Sequence, residues 1–505
     1  MRISPTHSPS PAAAARFYAD GHWTPAGPAE LPTTSQPALT DATSTWSYAE
    51  LSDAVQRIRL ALSHSGVTGD DAVLVIAPLR NEAVAAYLAV LRHRSVAVLL
   101  DHRSGPADVQ RACAAARPRV ALATPRDADR LGLNGFCPVV PLDGGAPHSD
   151  GPAPGRAHID PDAAAVVVFT SGTTSAPKGV IHTINSLRCG TANMVDALHL
   201  DDRDTLFLAS PVASITGVLQ LESAVSVGAR VVLAEHFSPQ RAFEQVQASN
   251  ATVIGGAPVI AATIFAEADR RGVTSVPLRC IALGGDMIPP AVIESAHRFG
   301  VQVVRVYGSS EVPFSTATAY GAYSADDGSA LPGVGVAVAE RGELLIGGPH
   351  QFHGYLDAAH NDESFAGDPV RTGDRAELLS DGRIRITGRL KEILIRKGKK
   401  ISLPEIDSAA AELGECAAFA VPDEQTGERL ALAVRDPDLT YASIRDRLTA
   451  TGLATGKLPE QIVLWSGELP RTPSGKVIRR ALADESRWIR VLYAPRLAGV
   501  SGQRI

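Results

Sequence analysis

Residues Thr170 to Gly179 read Thr-Ser-Gly-Thr-Thr-Ser-Ala-Pro-Lys-Gly, which gathers five hydroxyl side chains, two glycines and one lysine into ten positions. Hydroxyl and backbone N–H donors around a single ammonium make a cradle for phosphate oxygens, with Lys178 supplying the charge. The order is not that of a Walker loop, which needs Gly-Lys-Ser/Thr where this chain has Pro177-Lys178-Gly179. Lysine is scarce: Lys178, Lys391, Lys397, Lys399, Lys400, Lys457 and Lys476 are the only ones, and every other basic residue is arginine. Coding bias explains such a shortage, and so does a chain that keeps lysine where a compact ammonium on a flexible stem is needed. Where the survivors sit is therefore informative. Other chemistries find less support. His350 and His353 have metal-ligand spacing without a third ligand nearby, and His182 reads as a structural or surface histidine. Gly333-x-Gly335 lacks the third glycine of a dinucleotide fingerprint, and no nucleophile elbow is present.

Such a loop has to be held by regular elements. From about 45 to 310 apolar runs alternate with helical patterns: Ala72–Ile76, Val96–Leu100, Ala163–Phe169, Arg230–Ala234, Ala251–Gly255, Arg279–Leu283 and Val301–Val306 read as strands. Ser47-x-x-Glu50 is a capping box opening a helix, and Ser238-Pro239 supplies an N-cap and an N1 proline for another. The alternation predicts an α/β fold of doubly wound, mostly parallel sheets, with the phosphate loop between the strand at 163–169 and a helix from about Thr183. After about 325 the texture becomes Gly-rich and strand-like, predicting a small β-rich subdomain. The tail is long enough for a separate small α+β domain. The expected division is a large unit at 1–388, a hinge at 389–391 and a small mobile unit at 392–505.

Composition bounds the class. The chain has 505 residues, 45% of them hydrophobic, and a net charge of −6, so no basic field favours nucleic acid. Cys113, Cys137, Cys189, Cys280 and Cys416 are scattered without a C-x-x-C pair, which suits a reducing compartment. The first residues lack the apolar stretch of a secretory leader, and no run is long enough to span a membrane, so a cytoplasmic protein is expected.

Phe169–Gly179 resembles the signature loop of the adenylate-forming superfamily: acyl-CoA and aryl-CoA ligases, peptide-synthetase adenylation domains and luciferases. One departure is Ser175, where the family usually has glycine. Other stretches match in the same order over roughly 45–485. The resemblance implies that Thr170, Ser171, Gly172, Thr173, Thr174 and Lys178 surround the ATP phosphates. It implies that Tyr307 stacks on adenine within Tyr307-Gly308-Ser309-Ser310-Glu311, that Ser310 offers its hydroxyl to phosphate, and that Glu311 holds Mg²⁺. Gly284-Gly285-Asp286 resembles the segment beside the adenine and the acid, and Asp374 of Arg371-Thr-Gly-Asp374 resembles the aspartate that grips the ribose. In the long match Gly388–Asp407, Arg389 would contact the nucleotide, Lys391 would be the pivot, and Gly398, Lys399 and Lys400 would line the channel of a thiol acceptor. Lys476, in Leu469-Pro-Arg-Thr-Pro-Ser-Gly-Lys476, would bridge the substrate carboxylate and the α-phosphate.

The activity so implied is ATP-dependent conversion of a small carboxylic acid to an acyl-AMP, followed by transfer to a thiol: coenzyme A or the phosphopantetheine of a free-standing carrier protein. Catalysis would fall on Lys476, Lys178 and Glu311, and the acid would lie against Ser214, Gly217, Gly284 and Gly308. In Pro211-Val-Ala-Ser-Ile-Thr-Gly217 a serine stands where the family often has histidine. No aspartate lies between Phe207 and Gly217 to hold an ammonium, so a hydrophobic or aromatic acid is expected rather than an α-amino acid. Two alternatives stay open: transfer to an amine, giving an amide, and a nucleotide-binding regulator without catalysis.

Overall fold

The computed structural model describes residues 18–19, 22–23, 31–142, 161–170, 178–285, 288–396, 399–423, 427–471 and 477–494. Ser171, Gly172, Thr173, Thr174, Asp286, Gly398 and Lys476 lie outside them, as do the side chains of Lys391, Lys399 and Lys400.

The first sheet has seven strands. Val139–Pro141, Val120–Ala123, Ala72–Ala77, Val96–Asp101 and Ala164–Thr170 run parallel, and Lys178–Thr183 and Gly354–Tyr355 add antiparallel at one edge. The second has nine strands around a parallel centre of Arg230–Leu233, Thr205–Leu208, Val253–Gly256, Cys280–Gly284 and Gln302–Tyr307. Both faces are covered, as purely parallel strands require. Val73 and Val75 point into a core shared with Leu206, Leu208, Val253 and Val304 of the second sheet, while Leu74 and Ile76 point outward into another. The helices Tyr48–His64, Asn81–His93, Ile184–Leu198 and Ile215–Val227 fill the space between the two sheets. On the far side of the second sheet, Pro239–Ser249, Pro258–Arg270 and Pro290–Arg298 cover Phe207, Ile254, Ile281 and Val303.

Local chemistry sets the boundaries. The Ser47–Glu50 capping box forms as expected, and Ser238 accepts from Arg241 N at the start of Pro239–Ser249. One strand adds to the expected elements. Ahead of the helix expected from about Thr183, Lys178–Thr183 is a strand paired with Ala164–Thr170. Val180, Ile181 and Thr183 are β-branched, and the edge of the first sheet offers them a partner. Thr183 then caps Ile184–Leu198 in a capping box with Ser186.

Gly335–Val338, Glu343–Gly347, Val370–Leu378 and Ile384–Arg389 form a four-stranded antiparallel sheet. The 3-10 turn Leu390–Glu392 leads from it to a six-stranded sheet carrying Leu403–Ala409 and Tyr441–Ala450. The cores on the two faces of that sheet are built entirely from residues 394 onward. Among the described residues no helix is long and apolar enough to cross a membrane.

Candidate active site

Three carboxyl ends of parallel strands converge: Thr170, Gly284 and Tyr307 are the last residues of their strands. In open α/β sheets ligands gather beyond these ends. The turn after Tyr307 is tight. A Cβ at Gly308 would stand 2.6 Å from the Phe314 nitrogen, so only glycine fits the reversal. A Cβ at Gly284 would meet the Val306 carbonyl oxygen at 2.4 Å, which keeps these two strands in close register. Gly285 has φ +76°, the left-handed conformation that glycine adopts without penalty.

The turn is pinned from below by His182, which is fully buried. Its Nε2 donates to the Ser310 carbonyl at 2.8 Å, and its Nδ1 lies 3.1 Å from Ser186 Oγ. Burial pulls the imidazole down to about 4, against the opposing pull of the Ser310 bond and the Glu311 charge, so the ring is neutral near pH 7. Of the two expected readings, structural or surface, His182 thus has the structural one. His350, also buried, bonds through Nε2 to Ser315 Oγ at 2.9 Å.

Glu311 is held by two hydroxyls, one on each oxygen: Ser309 Oγ donates to Oε2 at 2.8 Å, and Tyr355 OH donates to Oε1 at 2.8 Å. Lys178, first residue of its strand, lies with Nζ 4.8 Å from the centre of the Tyr355 ring. Cation and carboxylate are thereby brought to the two parts of one aromatic side chain. The sequence reading missed Tyr355. Its place depends on the pairing of Gly354–Tyr355 with the Lys178–Thr183 strand, Val180 opposite Tyr355. Burial first, and then the Glu311 charge and bond, raise the Tyr355 phenol above its ordinary value, so it remains a donor.

A second group forms around Asp374. Tyr307 OH donates to Asp374 Oδ2 at 2.6 Å, and Arg389 Nε stands 3.2 Å from Oδ1 across an antiparallel pair. Burial and the neighbouring Asp374 push the Tyr307 phenol well up. Burial works against the Arg389 charge, yet Asp374 and Glu392 hold the guanidinium above its ordinary value. A buried carboxylate with these donors, beside an aromatic ring at a strand end, matches a sugar with vicinal hydroxyls carrying a base.

Ser214 and Gly217 serve their own helix. Ser214 Oγ accepts from Gly217 N at 3.1 Å and donates to the Pro211 carbonyl at 2.7 Å, capping Ile215–Val227. A Cβ on Gly217 would sit 2.1 Å from that carbonyl oxygen.

The donor set around Glu311 is hard oxygen, one carboxylate with hydroxyls. That suits Mg²⁺, which takes one or two carboxylates and completes its shell with water and substrate phosphates.

A family model described as "AMP-binding enzyme" matches residues 30–356, more than half of the chain. The chain belongs to the AMP-binding enzyme family. Within it, the protein is a ligase of the AMP-forming, carboxylate-activating class. It is 28% identical over 469 residues to indoleacetate–CoA ligase of Aromatoleum aromaticum, covering 85% of this chain and 91% of that protein. It is 27% identical to the salicyl-AMP ligase / salicyl-S-ArCP synthetase of Mycobacterium tuberculosis, over 87% of this chain and 85% of that one. The fold is that of o-succinylbenzoate coenzyme A synthetase from Bacillus subtilis, solved with ATP and magnesium ion: TM-score 0.80 at 22% identity, over 89% of this chain and 96% of that one.

Proposed function

We propose that this protein joins a hydrophobic or aromatic carboxylic acid to AMP and then passes the acyl group to a thiol. The observation that carries the proposal is the meeting of Lys178, Glu311 and Tyr355 at the strand ends, with Asp374 and Arg389 of the four-stranded sheet grouped on Tyr307 at the start of the turn that carries Glu311. One group offers charge for phosphates, the other a carboxylate for a ribose.

In the first step an oxygen of the substrate carboxylate attacks the α-phosphorus of ATP, the bond to the bridging oxygen breaks, and pyrophosphate leaves with its electrons. Lys178 and the hydroxyls of the 170–174 segment bind the phosphate oxygens. Glu311 would hold Mg²⁺, which when bound neutralises phosphate charge. Asp374 takes the ribose hydroxyls, Tyr307 the adenine, and Arg389 steadies Asp374. Lys476 approaches the substrate carboxylate and the α-phosphate, where two anions must meet, and a positioned ammonium is worth most there. In the second step a thiolate attacks the acyl carbon and AMP leaves. The 392–505 unit turns about Lys391 between the steps, withdrawing Lys476 and presenting Gly398, Lys399 and Lys400 to the acceptor.

Coenzyme A is the preferred acceptor, and a carrier phosphopantetheine is the second form of the same chemistry; each has support from one of the two relatives. The acid class rests on the absence of a carboxylate between Phe207 and Gly217 and on the aromatic acids in both relatives' names. The test is pyrophosphate release with Mg·ATP over aliphatic, aryl and amino acids, followed by mass analysis of products with coenzyme A, a phosphopantetheinylated carrier or an amine. Acid-dependent release with a thioester product is expected. An amide product would replace the thiol by an amine. ATP binding without release on any acid would favour a nucleotide-binding regulator.

A further inference from the structure

Tyr355 lies between the two charges on which the proposed chemistry depends, and its ring, hydroxyl and backbone are all held. Its residue is 8% exposed. Its backbone N donates to Asn361 Oδ1 at 2.9 Å, and its strand is paired with Lys178–Thr183. Its ring meets Phe352 edge-on at 4.9 Å between centroids, while Phe352 N donates to the Glu311 carbonyl at 2.7 Å. Ring, rim and backbone are thus fixed to both halves of the site at once. Gly179 adds a further constraint. A Cβ there would stand 2.5 Å from Cδ1 of Leu356, the residue after Tyr355, so the Leu356 side chain packs directly over Gly179.

A lysine on a flexible stem beside a carboxylate ordinarily closes into an ion pair, which would spend the charge of both before any ligand arrived. Among the described residues Lys178 and Glu311 make no such pair; the Tyr355 ring face takes the ammonium and its hydroxyl takes one carboxylate oxygen. Aromatic faces attract ammonium groups, and a phenol O–H donates strongly to a carboxylate. An ionised carboxylate has about four lone-pair sites, so two hydroxyl donors leave sites free for a cation.

From this we infer that Tyr355 is a positioning residue of the nucleotide site, holding Glu311 open for the divalent cation by its hydroxyl and Lys178 ready for phosphate by its ring. The inference rests on the reading of the site given above. Its two parts are separable by substitution. Tyr355→Phe removes only the hydroxyl, whereas Tyr355→Leu removes the aromatic face as well.

The experiment is calorimetric titration of the full-length protein with ATP and no acid, once with Mg²⁺ and once with EDTA, for wild type, both variants, and Tyr355→Phe in a Glu311→Gln background. Thermal unfolding of each variant is recorded alongside. The wild type is expected to bind Mg·ATP more tightly than metal-free ATP. Tyr355→Phe is expected to lose about tenfold of the Mg²⁺-dependent gain and none of the metal-free affinity, since a hydrogen bond to a charged group carries an effect of that size. Tyr355→Leu loses metal-free affinity in addition, severalfold. With Glu311→Gln already present, Tyr355→Phe changes nothing further. An undiminished Mg²⁺ gain in Tyr355→Phe overturns the inference, and so does an equal loss with and without Mg²⁺, the signature of general loosening. A wild type whose ATP binding ignores Mg²⁺ would instead bring down the nucleotide-site reading, and this inference with it.

Discussion

Asp374 shows how much of a site is made by its neighbours. Alone, a buried carboxylate has no preferred direction; here Tyr307 OH at 2.6 Å and Arg389 Nε at 3.2 Å fix both oxygens. Tyr307→Phe keeps a ring that can stack while removing one of these restraints. The expected result is a rise in KM for ATP of roughly fivefold with kcat near wild type, because part of a charged hydrogen bond worth about 1.5–3 kcal/mol is retained through Arg389. Steady-state pyrophosphate release reads it, and a fall in kcat with KM unchanged would contradict it. His182 makes a second prediction, in stability. Folded, its pKa is about 4; in the unfolded chain it returns to 6.5, so below 6.5 the unfolded state takes up a proton that the folded state refuses. The contribution is complete above pH 6.5 and is lost as pH falls toward 4. His350 acts in the same direction, held at about 3 by burial first and by His182 second. Each group adds a slope of at most about 1.4 kcal/mol per pH unit. Urea midpoints measured from pH 7 to 4 should fall less steeply in His182→Gln than in wild type, and an identical slope would refute the assignment. The motif residues Lys178, Tyr307, Glu311 and Asp374 are legible in sequence because each sits in a short run of distinctive composition. Tyr355 is not, since Gly-Tyr is an ordinary dipeptide and its meaning comes from a strand pairing made across the fold.

At the scale of elements, the parallel strands are legible because a strand buried on both faces is a continuous apolar run, as in Ala164–Thr170 and Cys280–Gly284. The caps are legible because Ser, Thr and Glu stand at fixed offsets from the helix start. Lys178–Thr183 escapes for the opposite reason. It carries a lysine and a histidine within a six-residue stretch, and becomes a strand because an edge is there to receive it. Ser214 shows a different limit: read as a pocket residue, it is also the N-cap of Ile215–Val227. Ser214→Ala should cost about 1 kcal/mol of stability, the usual worth of a cap. Gly217→Ala should cost more, on the order of 3 kcal/mol, because the new methyl would lie 2.1 Å from the Pro211 carbonyl oxygen and the helix start would have to shift. Calorimetric melting of the two variants ranks them, and a Gly217→Ala protein that melts no lower than Ser214→Ala would show that the Pro211 turn yields freely.

The whole molecule poses the question of order between two chemical steps. The six-stranded C-terminal sheet has cores of its own and joins the rest through the 3-10 turn Leu390–Glu392. Inside it Arg479, three residues beyond Lys476, donates to Asp407 Oδ2 and to the Ala418 carbonyl at 2.6 Å each, and lies 3.7 Å from Glu392 beside the proposed pivot. The segment following Lys476 is thereby tied to the first turns after the junction, so a rotation there would carry it as one piece. On the proposed mechanism, adenylation would need Lys476 because it brings two anions together, and transfer from a finished acyl-AMP to a thiol would not. Lys476→Ala should therefore lower pyrophosphate release by about 10²–10³-fold. The same variant, given synthetic acyl-adenylate and coenzyme A, should make thioester at nearly the wild-type rate. Gly398→Leu should do the reverse, leaving pyrophosphate release intact while blocking the approach of a pantetheine arm. If both variants fail in both assays, the two residues serve one arrangement of the molecule and the alternation of the C-terminal unit is refuted. If each fails in its own half-reaction alone, one active site is being completed in turn by two faces of the same small unit.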